Sequence, residues 1–179
     1  MKKFINKLKR QIKIKIKSYT EKQEKKLPRI IIDSSVTLYD LLEACDLDHY
    51  DPFKFNDINF PQKFSGDKVK VELAVKTFRY KNKNVPEEII ELMNKQGFRP
   101  ITLYEMLTLV VKYPTFCKSS KYAFTALGSK FNNLDDESIT APSIMILAGM
   151  DKKNLSLRDW SSVCSGSSRC LLGVRRLKS

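Results

Sequence analysis

Two cysteines near the carboxyl-terminal end, Cys164 and Cys170, have the residue type and spacing best suited to covalent chemistry. The stretch 165–168 between them has the composition of a turn, so the two thiols could face each other across a tight hairpin. That arrangement predicts a thiol-dependent enzyme. The alternative is two small hydrophobic side chains on a strand edge. We favour the alternative, because no histidine lies nearby to activate a thiolate.

A second cluster of metal-ligand types occupies residues 45–51, where Cys45, Asp46, Asp48, His49 and Asp51 crowd together. Three carboxylates and an imidazole can in principle bind a divalent cation. A calcium loop of the EF-hand type also needs a glycine and a distal glutamate, and both are missing here. We therefore predict no metal site and no cofactor.

Other catalytic signatures are missing from the sequence. The only histidine, His49, lies in the acidic run, and the six glycines form neither a G-x-S-x-G elbow nor a phosphate-binding loop. No spacing singles out a carboxylate pair for hydrolysis. The sequence thus favours a non-enzymatic binding or interaction module for an unknown protein or ligand. A structural subunit of a larger assembly is a further alternative.

The only tryptophan, Trp160, lies in a loop of small polar residues. Tryptophan and arginine are the usual anchors of binding surfaces, but a single tryptophan is as often part of the core. On the first interpretation this stretch contacts a partner, and on the second it packs inside. The candidate partner-binding loop comprises Asp159, Trp160, Ser161, Ser162 and Arg169.

The basic charge of the chain is unevenly distributed. Of the net charge of +13, residues 1–27 carry +9, from eleven basic and two acidic side chains, and residues 28–62 carry −5. A basic arm of this kind predicts peripheral contact with an anionic membrane or non-specific contact with nucleic-acid phosphates. Alternatively, the arm could fold back on the acidic stretch. The cationic residues of the candidate arm surface are Lys2, Lys3, Lys7, Lys9, Arg10, Lys13, Lys15 and Lys17.

The arm has two competing local patterns. Its apolar residues recur at spacings of three and four, which predicts an amphipathic helix. Residues 12–17 alternate between isoleucine and lysine, which fits a strand equally well. A disordered leader is the third alternative. The apolar residues concerned are Ile5, Leu8, Ile12, Ile16 and Tyr19.

The sequence predicts a cytoplasmic protein. No run approaches the roughly 18 apolar residues of a membrane span, and lysines interrupt every candidate signal sequence in the arm. In that compartment we expect the four cysteines to be reduced. Peripheral membrane attachment through the arm is compatible with this location.

The body, residues 28–179, is predicted to be a single α+β domain with a mostly antiparallel sheet and about three helices. Helices are expected from Thr37 to about 45, for about ten residues from Pro86, and from a capping box at Thr102 to just before Pro114. The stripe expected to face the core in the third helix is Leu103, Met106, Leu107, Val110 and Val111. Strands are expected at 29–32, 68–76, 123–127, 144–148, 155–159 and 170–177.

Several ordered blocks of residues 28–179 resemble a family of uncharacterised bacterial proteins. The blocks are Asn59-Phe60-Pro61, Gly97-Phe98-Arg99-Pro100 with Thr102-Leu103, Glu105 and Leu107, Tyr113-Pro114, Ala126-Leu127-Gly128-Ser129 and Val174-Arg175-Arg176. The resemblance implies no known activity. The chain departs from the family in its lysine-rich arm and in having Cys170 and Leu171 where the family has an arginine and an aromatic residue.

The order of these elements is also similar to the C-type-lectin-like layout of formylglycine-generating-type domains. That similarity implies a ligand surface in the loops before the last strand. It would place the surface at residues 159–169, where Trp160 and Arg169 lie.

Overall fold

The structure is a computed structural model of the chain, and it describes residues 28–62, 70–78, 86–114, 123–132, 137–146, 152–163 and 169–177. The basic arm and Cys164 lie outside these ranges. For Ile146, Arg169 and Cys170 only the backbone is described.

Three α-helices occur in the described residues: α1 (Leu38–Ala44), α2 (Pro86–Lys95) and α3 (Leu103–Lys112). Thr37 and Asp40 form a capping box at α1, and Thr102 and Glu105 form one at α3. Each box pairs the first free amides of its helix with side-chain oxygens, so the start of each helix was predictable from sequence. Gly97 closes the turn after α2 with a φ of +74°, a conformation that favours glycine.

Eight strands form one mixed sheet: β1 (Arg29–Asp33), β2 (Lys70–Phe78), β3 (Arg99–Pro100), β4 (Ala123–Thr125), β5 (Phe131–Asn132), β6 (Ile139–Ile146), β7 (Lys153–Asp159) and β8 (Arg169–Arg176). The strand order is β1-β2-β8-β4-β6-β5, with β3 added to β8 and β7 added to β6. All pairs are antiparallel except β4 with β8. The predicted α+β class with a mostly antiparallel sheet is confirmed.

The two longest apolar patterns were interpreted correctly. In β2, Val71, Leu73 and Val75 are buried, as the alternation predicted. In α3 the predicted stripe is buried except at Val111, which is 40% exposed, and Leu109 is buried instead. The prediction for Val111 is wrong because the sheet and α1 pack on a face of α3 that is rotated toward Leu109.

The strands differ from the predictions in several of their boundaries and in two short additions. β6 begins at Ile139, five residues before the predicted start, although it contains Pro142. Pro142 is tolerated there because its carbonyl still accepts the Ala126 amide at 2.9 Å. Proline lacks a backbone N–H, so it takes part in the sheet as an acceptor. Strands β3 and β5 were not predicted, because two residues are too few to form a periodic pattern.

No helix in the described ranges has both the length and the apolar character needed to cross a membrane.

Candidate functional site

The predicted partner-binding loop places its tryptophan inside the protein. Trp160 is 8% exposed and packs in a cluster with Phe78, Ile89 and Val163. Its indole Nε1 donates to Glu87 Oε1 at 2.7 Å, and this hydrogen bond lowers the pKa of Glu87 below its ordinary value. Of the two interpretations of Trp160, the core position is the one observed.

The neighbours of Trp160 hold the turn in which it lies. Asp159 Oδ1 accepts from the Ser161 amide at 2.8 Å and from its hydroxyl at 2.5 Å, and the Ser162 hydroxyl donates to the Asp159 carbonyl at 3.2 Å. These contacts form a short 3-10 helix, Trp160–Ser162. Arg169 is the first residue of β8, paired with Ala123. The structure therefore brings Asp159 to Ser162 together as a structural turn, and no contact of the turn identifies a partner.

Several of the metal-ligand side chains of residues 45–51 have separate partners elsewhere in the fold. Cys45 is 1% exposed, with its Sγ 3.6 Å from the Leu107 carbonyl. Asp48 Oδ2 accepts the Lys153 amide at 2.6 Å, and Asp51 Oδ1 accepts the Phe53 amide at 3.0 Å. No group of three or more histidine, cysteine or acidic side chains is placed to bind a metal ion in the described ranges.

A pocket of about 360 Å³ lies elsewhere, where three separate segments meet. One segment is the loop 60–62, the second is residues 99–105 with the start of α3, and the third is the turn 128–129. The lining residues are Phe60, Pro61, Gln62, Arg99, Pro100, Thr102, Tyr104, Glu105, Gly128 and Ser129. All three segments belong to blocks that carry the family resemblance or directly follow one.

Gly128 and Ser129 join the third segment to the second. The Gly128 amide donates to the Ile101 carbonyl at 2.8 Å, and Ser129 Oγ accepts the Leu103 amide at 2.9 Å. A Cβ atom at position 128 would lie 2.7 Å from the Ile101 oxygen and 2.8 Å from the Pro100 oxygen. Only glycine allows this close backbone approach, so the turn is fixed against the start of α3.

The pocket lining contains a bidentate ion pair between Arg99 and Glu105. Arg99 Nη1 donates to Glu105 Oε2 at 2.9 Å, and Nη2 donates to Oε1 at 2.5 Å. Glu105 is 0% exposed, whereas the Arg99 side chain is 45% exposed. Glu105 Oε2 also accepts the Thr102 amide at 2.8 Å. The hydrogen bond to Glu105 raises the pKa of Arg99, so the guanidinium stays charged and its outer face is presented to the pocket.

Tyr104 forms the wall between the pocket and the loop 51–59. Its hydroxyl donates to Asp57 Oδ1, and its ring is 6% exposed. Burial, together with the hydrogen bond to the Asp57 carboxylate, raises the pKa of Tyr104. The phenol is therefore a fixed hydrogen-bond donor to Asp57 and not a base.

Gln62 contributes the one orphaned polar atom found in the described ranges. Its side chain lines the pocket, and its Nε2 atom is buried without a hydrogen-bond partner among the residues that the structure describes. Leaving a buried amide donor unpaired costs about 1–3 kcal/mol. An oxygen acceptor that formed a hydrogen bond with the Gln62 side-chain amide would remove this cost.

The chemistry of the pocket depends on the side-chain types of its described lining residues. They include neither histidine nor cysteine, and both oxygens of Glu105 already accept hydrogen bonds. The Ser129 hydroxyl oxygen accepts the Leu103 amide, and no base among the described lining residues is placed to activate it. The described lining residues offer hydrogen-bond donors and an apolar wall.

Sequence reasoning missed this pocket, although it had singled out its components. The G-F-R-P block, the capping box of Thr102 and Glu105, and the A-L-G-S block were noted for the resemblance and for helix starts. Nothing in their spacing indicated that they meet. The usable signal was Glu105, because an acidic N3 residue six positions after Arg99 can reach back to that arginine.

Comparison with known proteins found no family model, no curated protein and no solved structure that matches the chain. The resemblance to the bacterial family and the C-type-lectin-like layout therefore stay predictions. The thiol-pair hypothesis stays one as well, because Cys164 lies outside the described residues and only the backbone of Cys170 is described.

Proposed function

We propose that the body of this chain is a non-enzymatic binding module that takes an extended peptide segment of a protein partner into the pocket beside Arg99. The observation that carries the proposal is the amide of Gln62, which is buried in the pocket wall without a partner among the described residues. A carbonyl oxygen placed there would remove the cost of the unpaired donor.

The charge balance of the pocket favours a neutral acceptor. Arg99 lines the pocket, but its charge is already balanced by Glu105 and its Nη1 also donates to the Pro100 carbonyl at 3.2 Å. A phosphate or free carboxylate in this pocket would lie close to the Glu105 carboxylate, and Arg99 is the one cation among the described residues that line it. Peptide carbonyl groups supply hydrogen-bond acceptors without that penalty.

The shape of the site favours an elongated ligand. A second cavity, of about 410 Å³, adjoins the first at Phe60, Pro61 and Gly128 and continues toward Lys130. Ligand pockets usually occupy about 300–1,000 Å³, so each cavity is large enough for part of a ligand. An extended chain would cross from one to the other while its carbonyls face Gln62 and Arg99 and its side chains contact Phe60 and Pro61.

The proposal is tested with short random peptides displayed on phage and selected on the immobilised full-length protein. Individual enriched peptides are then synthesised, and their affinities are measured by fluorescence anisotropy. We expect Gln62→Leu to weaken binding about tenfold, because it removes one hydrogen bond at nearly constant side-chain volume.

Gln96→Leu is the matched control. Gln96 is exposed, and its Oε1 accepts from Lys76 Nζ at 2.8 Å, outside the pocket. This variant should bind the selected peptides like the unsubstituted protein. If no peptide is enriched above the bare support, or if enriched peptides bind Gln62→Leu and Gln96→Leu equally, the proposal is wrong.

A further inference from the structure

The loop 51–59 exposes two large apolar side chains almost completely. Phe53 is 88% exposed and Ile58 is 89% exposed, and Tyr39 on α1 is 65% exposed. These are the three most exposed large apolar side chains in the described ranges. Exposed apolar groups that cluster in this way mark a contact surface. We refer to Tyr39, Phe53 and Ile58 as the apolar face.

Internal contacts connect the two segments that carry the apolar face, the loop 51–59 and the start of α1. The Asn56 side chain donates to the Phe53 carbonyl at 2.7 Å and accepts the Ile58 amide at 3.0 Å. The Tyr104 hydroxyl meets both Asp57 and the backbone of Leu38, next to Tyr39. Because the loop is already ordered, a partner that covers this face would lose little conformational entropy of the loop.

The charges around the apolar face select a basic partner. Residues 28–62 carry seven acidic and two basic side chains, a net charge of −5. Asp40, Glu43, Asp46 and Asp57 among them are exposed. Like-charge repulsion makes an anionic lipid surface or a nucleic acid unfavourable here. The apolar face therefore fits a segment that combines apolar side chains with many lysines.

The chain itself carries such a segment. Residues 1–27 have a net charge of +9, with Ile5, Leu8, Ile12, Ile16 and Tyr19 spaced three and four apart. They join the described body at Pro28, directly before the edge strand β1, and residues 34–37 connect the other end of β1 to α1. We propose that residues 1–27 dock on the apolar face of their own chain, with their lysines against its acidic rim.

The tether makes this docking effective. A segment attached through a short connection experiences an effective concentration of about millimolar, so a weak contact is enough to keep it bound. Docking also conceals the basic residues of the arm from anionic membranes. An anionic surface and the apolar face then compete for one arm, and the proposal does not depend on the pocket beside Arg99.

Zero-length carbodiimide cross-linking of the full-length protein tests the docking, because it joins lysines only to carboxylates in direct contact. We expect the monomer fraction to contain links from arm lysines to the carboxylates of residues 40–57. The double variant Phe53→Ser/Ile58→Ser should reduce these links several-fold. Both side chains are nearly 90% exposed, so the substitutions should leave the fold intact.

Ile139→Ser is the matched control, because Ile139 is 41% exposed on β6 and lies outside the apolar face. It should leave the cross-links unchanged. The exposed α2 residues Glu87, Glu88 and Glu91 give the background of accidental links. Links no more frequent than this background, or links found only in a dimer fraction, would overturn docking within one chain.

Vesicle flotation gives a second readout. The probe is phosphatidylcholine vesicles with and without phosphatidylserine, mixed with the full-length protein. If the arm is docked about nine-tenths of the time, releasing it raises the apparent affinity about tenfold. We expect Phe53→Ser/Ile58→Ser to bind phosphatidylserine vesicles about tenfold more tightly than Ile139→Ser. Equal binding by the two variants would contradict the proposal.

Discussion

The pocket beside Arg99 and the turn around Trp160 each contain a carboxylate that accepts a hydrogen bond from a side chain, but the two carboxylates differ in burial. In the pocket a fully buried carboxylate, Glu105, is paired with a half-exposed cation. At the turn an exposed carboxylate, Glu87, accepts a hydrogen bond from a buried indole. Lys130 Nζ lies 4.0 Å from the centre of the indole ring and covers its outer side.

The difference in burial means that only the pocket has to compensate for a desolvated charge. Removing water from the Glu105 carboxylate is costly, and the ion pair with Arg99 compensates for that cost. Glu87 stays in contact with water, and the buried partner there is a neutral N–H. Substitutions in the pocket should therefore cost more stability than substitutions at the turn, and they should also disturb the segments that shape the pocket.

Arg99→Met should have the largest effect, about 2–3 kcal/mol in the free energy of unfolding. It leaves the Glu105 carboxylate buried with only the Thr102 amide as a described donor. Urea denaturation followed by circular dichroism measures the loss. In the background of Glu105→Gln, which keeps the N3 acceptor for Thr102 but has no charge, the same substitution should cost less than half as much. A loss below about 0.5 kcal/mol for Arg99→Met alone would show that the ion pair with Arg99 does not stabilise the buried Glu105 carboxylate.

Gly128→Ala should cost about 1–3 kcal/mol, because its Cβ would press on the Pro100 and Ile101 carbonyl oxygens and push the turn away from α3. Selected peptides should also bind this variant less tightly. Gly97→Ala is the comparison: its φ of +74° is unfavourable for alanine, but its Cβ would meet no atom closer than 3.9 Å. It should reduce stability without changing peptide affinity. Unaltered peptide binding by Gly128→Ala would separate the turn from the pocket.

The smallest effect is the acid titration of Glu87. The hydrogen bond from Trp160 lowers the pKa of Glu87 in the folded state, so its contribution to stability is complete above about 4.3, the ordinary glutamate value, and is lost as the pH falls through the lower folded value. Since Trp160 is the only tryptophan, its fluorescence should change with a midpoint below that ordinary value. Glu87→Gln should abolish this transition and leave the rest of the acid unfolding in place. A transition that persists in Glu87→Gln belongs to another group.

Much of the fold could be predicted from local patterns. The alternation in β2 and the capping boxes at Thr37 and Thr102 are physical signals contained within a few residues. The predictions of burial failed where the burial of a side chain depends on segments far away in the sequence. Val111 is apolar and in register with the α3 stripe, yet it is exposed, because the direction from which the sheet covers α3 is set by the whole fold.

The candidate site could be predicted far less well. Trp160 was a candidate binding residue because of its residue type. Whether such a ring contacts a partner or packs in the core depends on the residues around it. Gln62 and Gly128 carried no local signal. The pocket position of Gln62 and the backbone contact of Gly128 exist only because three separate segments, 60–62, 99–105 and 128–129, meet at the start of α3.

The sequence by itself determined the α+β class, the helix starts and the division of charge between a basic arm and an acidic stretch. Those features depend on residue type and on spacings of a few positions. Only the tertiary structure decided that Trp160 is buried, that Arg99 pairs with Glu105 beneath a pocket, and that Phe53 and Ile58 face solvent. Burial and long-range contact are properties of the packed chain, since they depend on which segments the sheet and helices bring together.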